Sequence, residues 1–115
     1  MTKLKREKRN AEINELCLRF LHLEDQITNP YWVTEFGNVI HSNHFHESPW
    51  FLEMVFAKIR TYNVEIEEKY GVIMEGYSYW SFIHDKEFEI TFMGYGNSKF
   101  EANLKCALEF IKSII

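Results

Sequence analysis

The chain has 115 residues, 46% of them hydrophobic and 26% charged, with a net charge of −4. That is the size of one domain and the composition of a folded one, and it excludes intrinsic disorder. A chain this long buries roughly two thirds of its unfolded surface and needs no disulfide or metal staple. Charge is unevenly spread: Lys3, Lys5, Arg6, Lys8 and Arg9 against Glu7 give residues 1–10 a net of +4, which leaves −8 for the rest. An acidic body disfavours broad nucleic-acid binding, because phosphate contacts require a basic surface. Ten Phe, six Tyr and three Trp make the chain unusually aromatic. A core of this size is expected to leave some of those rings at the surface, where Tyr and Trp suit interfaces. No repeat, linker or low-complexity stretch divides the chain, so 1–115 reads as a single domain with a basic helical tip at 1–10. No apolar run approaches the ~18 residues of a membrane span, and no signal peptide is evident; the expected location is cytoplasmic.

In chain order, the first helix is expected from about Lys3 to Leu23. Ile13, Leu16, Cys17, Phe20 and Glu24 lie at helical spacing and Leu21 widens the apolar stripe. Thr28-Asn29-Pro30 stops it, since proline lacks the amide donor and disfavours helix in the residue before it. Tyr31–Thr34 and Val39-Ile40, joined through Gly37-Asn38, read as a short hairpin or ordered loop. Ser48-Pro49 opens a second helix, with Ser48 able to accept from a free first-turn amide and Pro49 at a position where its missing donor is harmless. Trp50, Phe51, Leu52, Met54, Val55, Phe56, Ala57 and Ile59 make this helix apolar nearly all round, so it is expected to be covered on more than one side.

Three strand-like segments follow. Val64, Ile66, Tyr70, Val72 and Met74 keep one parity, broken by Glu68, with Gly71 as a turn or bulge. Tyr77–Ile83 is the second, and Asp85-Lys86 turns the chain. Phe88, Ile90 and Phe92 alternate with Glu87, Glu89 and Thr91 as a half-buried third strand. Gly94-Tyr95-Gly96 is expected to turn into the last helix. There Ser98-Lys99-Phe100-Glu101 is a capping box, and Phe100, Leu104, Ala107, Leu108, Ile111 and Ile115 form the buried stripe. The fold class is therefore α+β: an antiparallel sheet of about three to five strands covered by N-terminal, central and C-terminal helices, with an α-β-α sandwich as one arrangement. Cys17 and Cys106 both fall on helical stripes and read as buried, reduced thiols, with a disulfide between them as the less favoured alternative if the two helices pack together.

Candidate chemistry is sparse. His41, His44, His46 and Glu47 crowd into seven residues and supply zinc-type ligands; His84 beside Asp85 could complete the set, and an open position on such a metal would activate water. The simpler reading is a polar loop leading into a helix cap, and no cofactor is expected apart from this candidate zinc. Gly94-x-Gly96-x-Ser98-Lys99 resembles an anion nest but lacks Walker spacing, so a capped turn is the plainer reading. Glu65, Glu67, Glu87 and Glu89 alternate opposite apolar residues as the wet face of a sheet. No nucleophile elbow is present, and no catalytic residue is assigned.

Leu16-Cys17-Leu18-Arg19-Phe20, Phe45-His46-Glu47-Ser48-Pro49-Trp50-Phe51-Leu52-Glu53-Met54-Val55, Lys58-Ile59, Ser98-Lys99-Phe100-Glu101-Ala102 and Ala107-Leu108-Glu109-Phe110-Ile111 follow one another in an order that resembles small uncharacterised bacteriophage and prophage proteins, among them the phage ABA-sandwich domain. The resemblance implies helices on both sides of a sheet and a phage-infected or lysogenic bacterial host. It brings no activity and no catalytic residues; Pro49 before Trp50 departs from the pattern. The helix–three strands–helix order also resembles double-stranded-RNA-binding domains, but the lysine cluster that those place at the last helix is reduced here to Lys99.

Three functions follow from this reading. The first is a non-enzymatic accessory protein acting through a protein partner or as a homo-oligomer. The second is a nucleic-acid-binding module using Lys3, Lys5, Arg6, Lys8 and Arg9. The third is a small metal-dependent enzyme at His41, His44 and His46.

Overall fold

The computed structural model describes residues 2–21, 31–33, 39–41, 45–74 and 77–115. Helix α1 spans Lys3–Leu21, β1 Tyr31–Val33, β2 Val39–His41, α2 Pro49–Ile59, β3 Val64–Met74, β4 Tyr77–Asp85, β5 Ile90–Gly96 and α3 Lys99–Ile114. The expected hairpin is present as β1 and β2, antiparallel with Trp32 opposite Ile40; its turn at Gly37-Asn38, like the stop at Thr28–Pro30, lies outside the described residues. Strands β3, β4 and β5 form a separate three-stranded antiparallel meander in that order. The fold is α+β, as the alternation of patterns predicts.

Each helix is held at its ends by identifiable groups. Thr2 Oγ1 accepts from the Lys5 amide at 3.3 Å at the start of α1. At its other end Lys58 Nζ donates to the carbonyls of Phe20 and Leu21, answering acceptors that a helix C-terminus leaves unpaired and placing a cation at the negative end of the helix dipole. Ser48 Oγ accepts from the Phe51 amide at 3.4 Å, with Pro49 in the first turn of α2. Ser98 Oγ accepts from the Glu101 amide at 3.1 Å, and Glu101 Oε2 reaches back to the Asn97 amide at 3.1 Å.

Helix α3 lies directly on β4 and β5, and α1 and α2 pack against α3. The closest approach is at Gly94, where a Cβ would overlap Ala102 O and Cys106 N. Ile66, Ile83 and Phe92 stand side by side across the sheet and point into this layer. They meet a core of Cys17, Phe20, Phe45, Val55, Ile59, Cys106, Phe110 and Ile111. Phe110 is its hub, edge-on to Phe20, Tyr62 and Phe92 at centroid distances of 6.3, 5.4 and 5.5 Å. Both cysteines are reduced and buried here, and burial pushes the thiol of Cys17 up to about 12 and that of Cys106 up to about 11. The described helices all lie on one side of the meander, so the second helical layer of a sandwich is not among the described residues.

Four local expectations are corrected. Helix α2 is not covered on several sides: Leu52, Val55, Phe56 and Ile59 form one buried stripe, while Trp50 is 50% exposed and Ala57 faces water. Phe88 does not belong to the third strand. Asp85 Oδ1 accepts from the Glu87 and Phe88 amides at 3.0 and 3.2 Å, and Glu89 takes a left-handed φ of 55°. This makes 86–89 the hairpin loop, leaves Phe88 67% exposed, and removes Glu87 and Glu89 from the sheet. Gly94-Tyr95-Gly96 stays in β5 rather than turning, and the turn falls at Asn97-Ser98. Ile115, placed on the buried stripe of the last helix, is exposed. The bulge at Gly71 is observed: its φ is 85° and the β3–β4 register shifts between Tyr70 and Met74.

Candidate functional site

Strands alternate their side chains, so one face of the meander packs on α3 and the other does not. The register assigns the second face row by row: Lys69, Trp80 and Tyr95; Glu67, Phe82 and Met93; Glu65, His84 and Thr91. Along β4 the rings of Trp80, Phe82 and His84 lie nearly parallel, with interplanar angles of 12° and 4° and centroids 6.4 and 6.1 Å apart. Tyr95 closes on Trp80 at 4.9 Å, and Lys69 Nζ stands 5.5 Å over the Phe82 ring. Among the described residues α3 touches this ladder at its β5 end, where Lys105 Nζ stands 5.6 Å from the Tyr95 ring centroid, and Trp80 itself is buried. Met93 is 44% exposed beside it. Trp80 Nε1 is buried without a hydrogen-bond partner.

Thr91, His84 and Glu67 form a chain across the three strands on this face. His84 Nδ1 meets Thr91 Oγ1 at 2.8 Å and His84 Nε2 meets Glu67 Oε2 at 3.3 Å. The connectivity is that of a hydroxyl, imidazole and carboxylate relay. The groups sit on an open strand surface rather than in a cleft, and β4 is bonded to strands on both sides, so its amides serve the sheet. The trio forms a cross-strand hydrogen-bond ladder on the described surface.

A groove of about 650 Å³ runs between α1, α3 and the outer edge of β5. Thr91, Phe92, Met93, Gly94 and Tyr95 all border it. Consecutive strand residues point to opposite faces, so five in a row along one groove place it on the strand's edge. Ile13 and Leu16 of α1 and Leu108 of α3 supply apolar walls, and the charged lining is Arg9, Lys105 and Lys112 against Glu12 and Glu109.

The sequence candidates fall as follows. Lys3, Lys5, Arg6, Lys8 and Arg9 are all exposed on the first turns of α1, where even Leu4 is 77% exposed, so this tip stands clear of the core. Lys3 pairs with Glu7 at 4.0 Å, and Arg9 reaches the groove. Of the histidine cluster, His41 ends β2, His44 lies outside the described residues, and His46 sits before α2. Asn14 Nδ2 donates to His46 Nδ1 at 3.0 Å, and His46 Nε2 lies 3.7 Å from Glu47. The described side chains bring His46 and Glu47 of that cluster together, the His41 side chain and His44 lie outside them, and among the described residues no group of three His, Cys, Asp or Glu could hold a metal ion. His84, which could have completed such a set, is engaged with Thr91 and Glu67. The suspected anion nest is closed internally by Ser98 and Glu101, and the carboxyl of Glu101 is held below its ordinary value chiefly by its bond to Lys105.

Sequence reasoning missed the ladder because β4 is apolar on both faces, which hides which face a helix covers. The available signal was Trp80 and Phe82 sharing one parity with Glu65 and Glu67 across the register. The edge groove had a signal as well: Ile90–Gly96 contains no charged residue. No protein-family model matches the chain, and no curated protein or solved structure matches it. No described helix is long and apolar enough to cross a membrane.

Proposed function

We propose that this is a non-enzymatic accessory protein of the phage or prophage type, working by protein–protein interaction or self-association, with the open face of the β3–β4–β5 meander as its contact surface. The observation that carries this reading is the row of Phe82, Met93 and Tyr95 beside the buried Trp80, on the sheet face turned away from the α3 core. Aromatic and methionine side chains are what protein interfaces concentrate at their centres, and an antiparallel sheet with one such face favours a second layer. Exposed Trp50 and Ile115 add apolar surface elsewhere. The phage assignment rests on the sequence resemblance alone. Sedimentation velocity across a wide concentration range tests self-association: a species that grows with concentration and is lost in Phe82→Ser supports it. A strict monomer whose Phe82→Ser variant also keeps every measured partner contact removes this face as the surface.

A second reading has one observation in its favour. The five exposed cations of α1, with Lys69 above the Phe82 ring, resemble the combination of basic residues and stacking rings that holds single-stranded nucleic acid. Glu65 and Glu67 on the same face oppose it. Anisotropy of a labelled single strand, falling steeply with salt and abolished by deleting 3–9, is the expected signature.

A further inference from the structure

The two edges of the meander are built differently. Strand β3 carries Glu65, Glu67, Glu68 and Lys69, and Glu68 points to the helical side, where it takes Asn103 Nδ2 at 3.2 Å and Lys99 Nζ at 3.4 Å. Charges on an edge strand, above all an inward-pointing one, prevent another strand from pairing with it. Strand β5 has no such guard. Ile90-Thr91-Phe92-Met93-Gly94-Tyr95-Gly96 has neither charge nor proline, and no described strand pairs with its outer side. That side opens onto the 650 Å³ groove, whose opposite wall is α1. An unguarded edge facing a helix across a groove is the geometry by which an extended peptide is added to a sheet.

We infer that β5 receives an extended, acidic segment of a partner protein as an added strand, lying between β5 and α1. Apolar side chains of the segment meet Ile13, Leu16 and Leu108, and its carboxylates face Arg9. The acidic character follows from charge. Arg9 forms no ion pair with a described residue, and Lys5, Arg6 and Lys8 precede it on the exposed tip of α1, which is therefore the positive end of that wall; farther along the groove Glu12 lines it too, while Lys105 pairs with Glu101 and Lys112 with Glu109. The volume is that of an ordinary ligand site, and Thr91–Tyr95 offers a backbone run of roughly 17 Å for pairing. A second copy of this chain pairing β5 to β5 would have to bring its own α1 against the same groove. This inference rests on the protein-interaction reading but uses the outer edge of β5 rather than the sheet face centred on Phe82; Met93 and Tyr95 border both.

The test is a titration of the full chain with two labelled peptides, one alternating valine and glutamate and the other valine and lysine, followed by fluorescence anisotropy and amide chemical shifts. The glutamate peptide is expected to bind and to shift amides of 90–96 and of 9–16. Arg9→Glu, at an exposed position, is expected to weaken it about tenfold and to favour the lysine peptide instead. Phe82→Ser, which alters the open face and leaves the groove intact, is expected to bind the glutamate peptide unchanged even where it abolishes self-association. Absence of binding overturns the inference, as does binding indifferent to Arg9→Glu, shifts centred on 80–84 rather than 90–96, or a β5-mediated dimer that excludes the peptide.

Discussion

Asn14 and His46, on opposite sides of the β1–β2 hairpin in sequence, are joined by two hydrogen bonds: the His46 amide donates to Asn14 Oδ1 at 3.1 Å, and Asn14 Nδ2 donates to His46 Nδ1 at 3.0 Å. The buried amide of α1 thereby fixes the chain entering α2. Asn14→Leu removes both bonds and leaves the His46 amide unanswered, and is expected to cost about 1–3 kcal/mol by chemical denaturation.

Gly94 and Gly71 separate two reasons for glycine. Gly94→Ala would push a methyl into the backbone of α3, which cannot swing aside; a loss of about 3 kcal/mol or failure to fold is expected. Gly71 has open space around it and only its positive φ to object, so Gly71→Ala is expected to cost about 1 kcal/mol. Thermal melts of the two variants should differ clearly; equal melts would show that α3 does not depend on the contact at Gly94.

Lys58 ties α2 to the end of α1 through the carbonyls of Phe20 and Leu21, and its ammonium lies 5.0 Å from the Phe20 ring centroid. Lys58→Met keeps the apolar stem and deletes the cation. A loss of about 1–2 kcal/mol is expected in a urea titration. A neutral result would show that water serves those carbonyls equally well.

The buried thiols make stability depend on alkaline pH. In the unfolded chain a cysteine ionises near its ordinary value of 9.0, whereas Cys17 and Cys106 stay protonated to about 12 and about 11 in the fold. Above pH 9 the unfolded state therefore binds fewer protons than the native one, and stability falls as pH rises through that window, approaching about 1.4 kcal/mol per thiol for each pH unit. Cys17→Ala/Cys106→Ala should flatten that slope while lowering stability at neutral pH. An aromatic disulfide reagent should find no reactive thiol at pH 8 until denaturant is added.

Local chemistry was readable wherever one residue type has one use. Ser48-Pro49 and Ser98 through Glu101 mark their helices because only a few side chains can answer free amides at a helix start. The strand pattern failed at Phe88 for an equally local reason: Asp85 captures two amides and ends β4 before the alternation of Phe88, Ile90 and Phe92 can express itself. What spacing could not reveal was tertiary. Asn14 lies among apolar residues of α1 as an apparent blemish, and its partner is supplied by a segment beyond the hairpin. Which face of β4 and β5 meets α3 is fixed by a close approach at Gly94 that no spacing in the sequence records.

That α1 packs on α3 has a consequence during synthesis. Helix α1 is the first of these elements to leave the ribosome, yet the surface that covers Cys17 and Phe20 is not complete until α3, the last of them, has been made. The meander and α3 are neighbours in the chain and can assemble by short-range contacts, which form fast. Helix α1 must wait through the translation of everything between, its apolar stripe exposed to whatever else is nascent nearby. The dense positive charge of its leading turns is well suited to that interval, since it keeps an unfinished helix soluble before it has anything to rest upon.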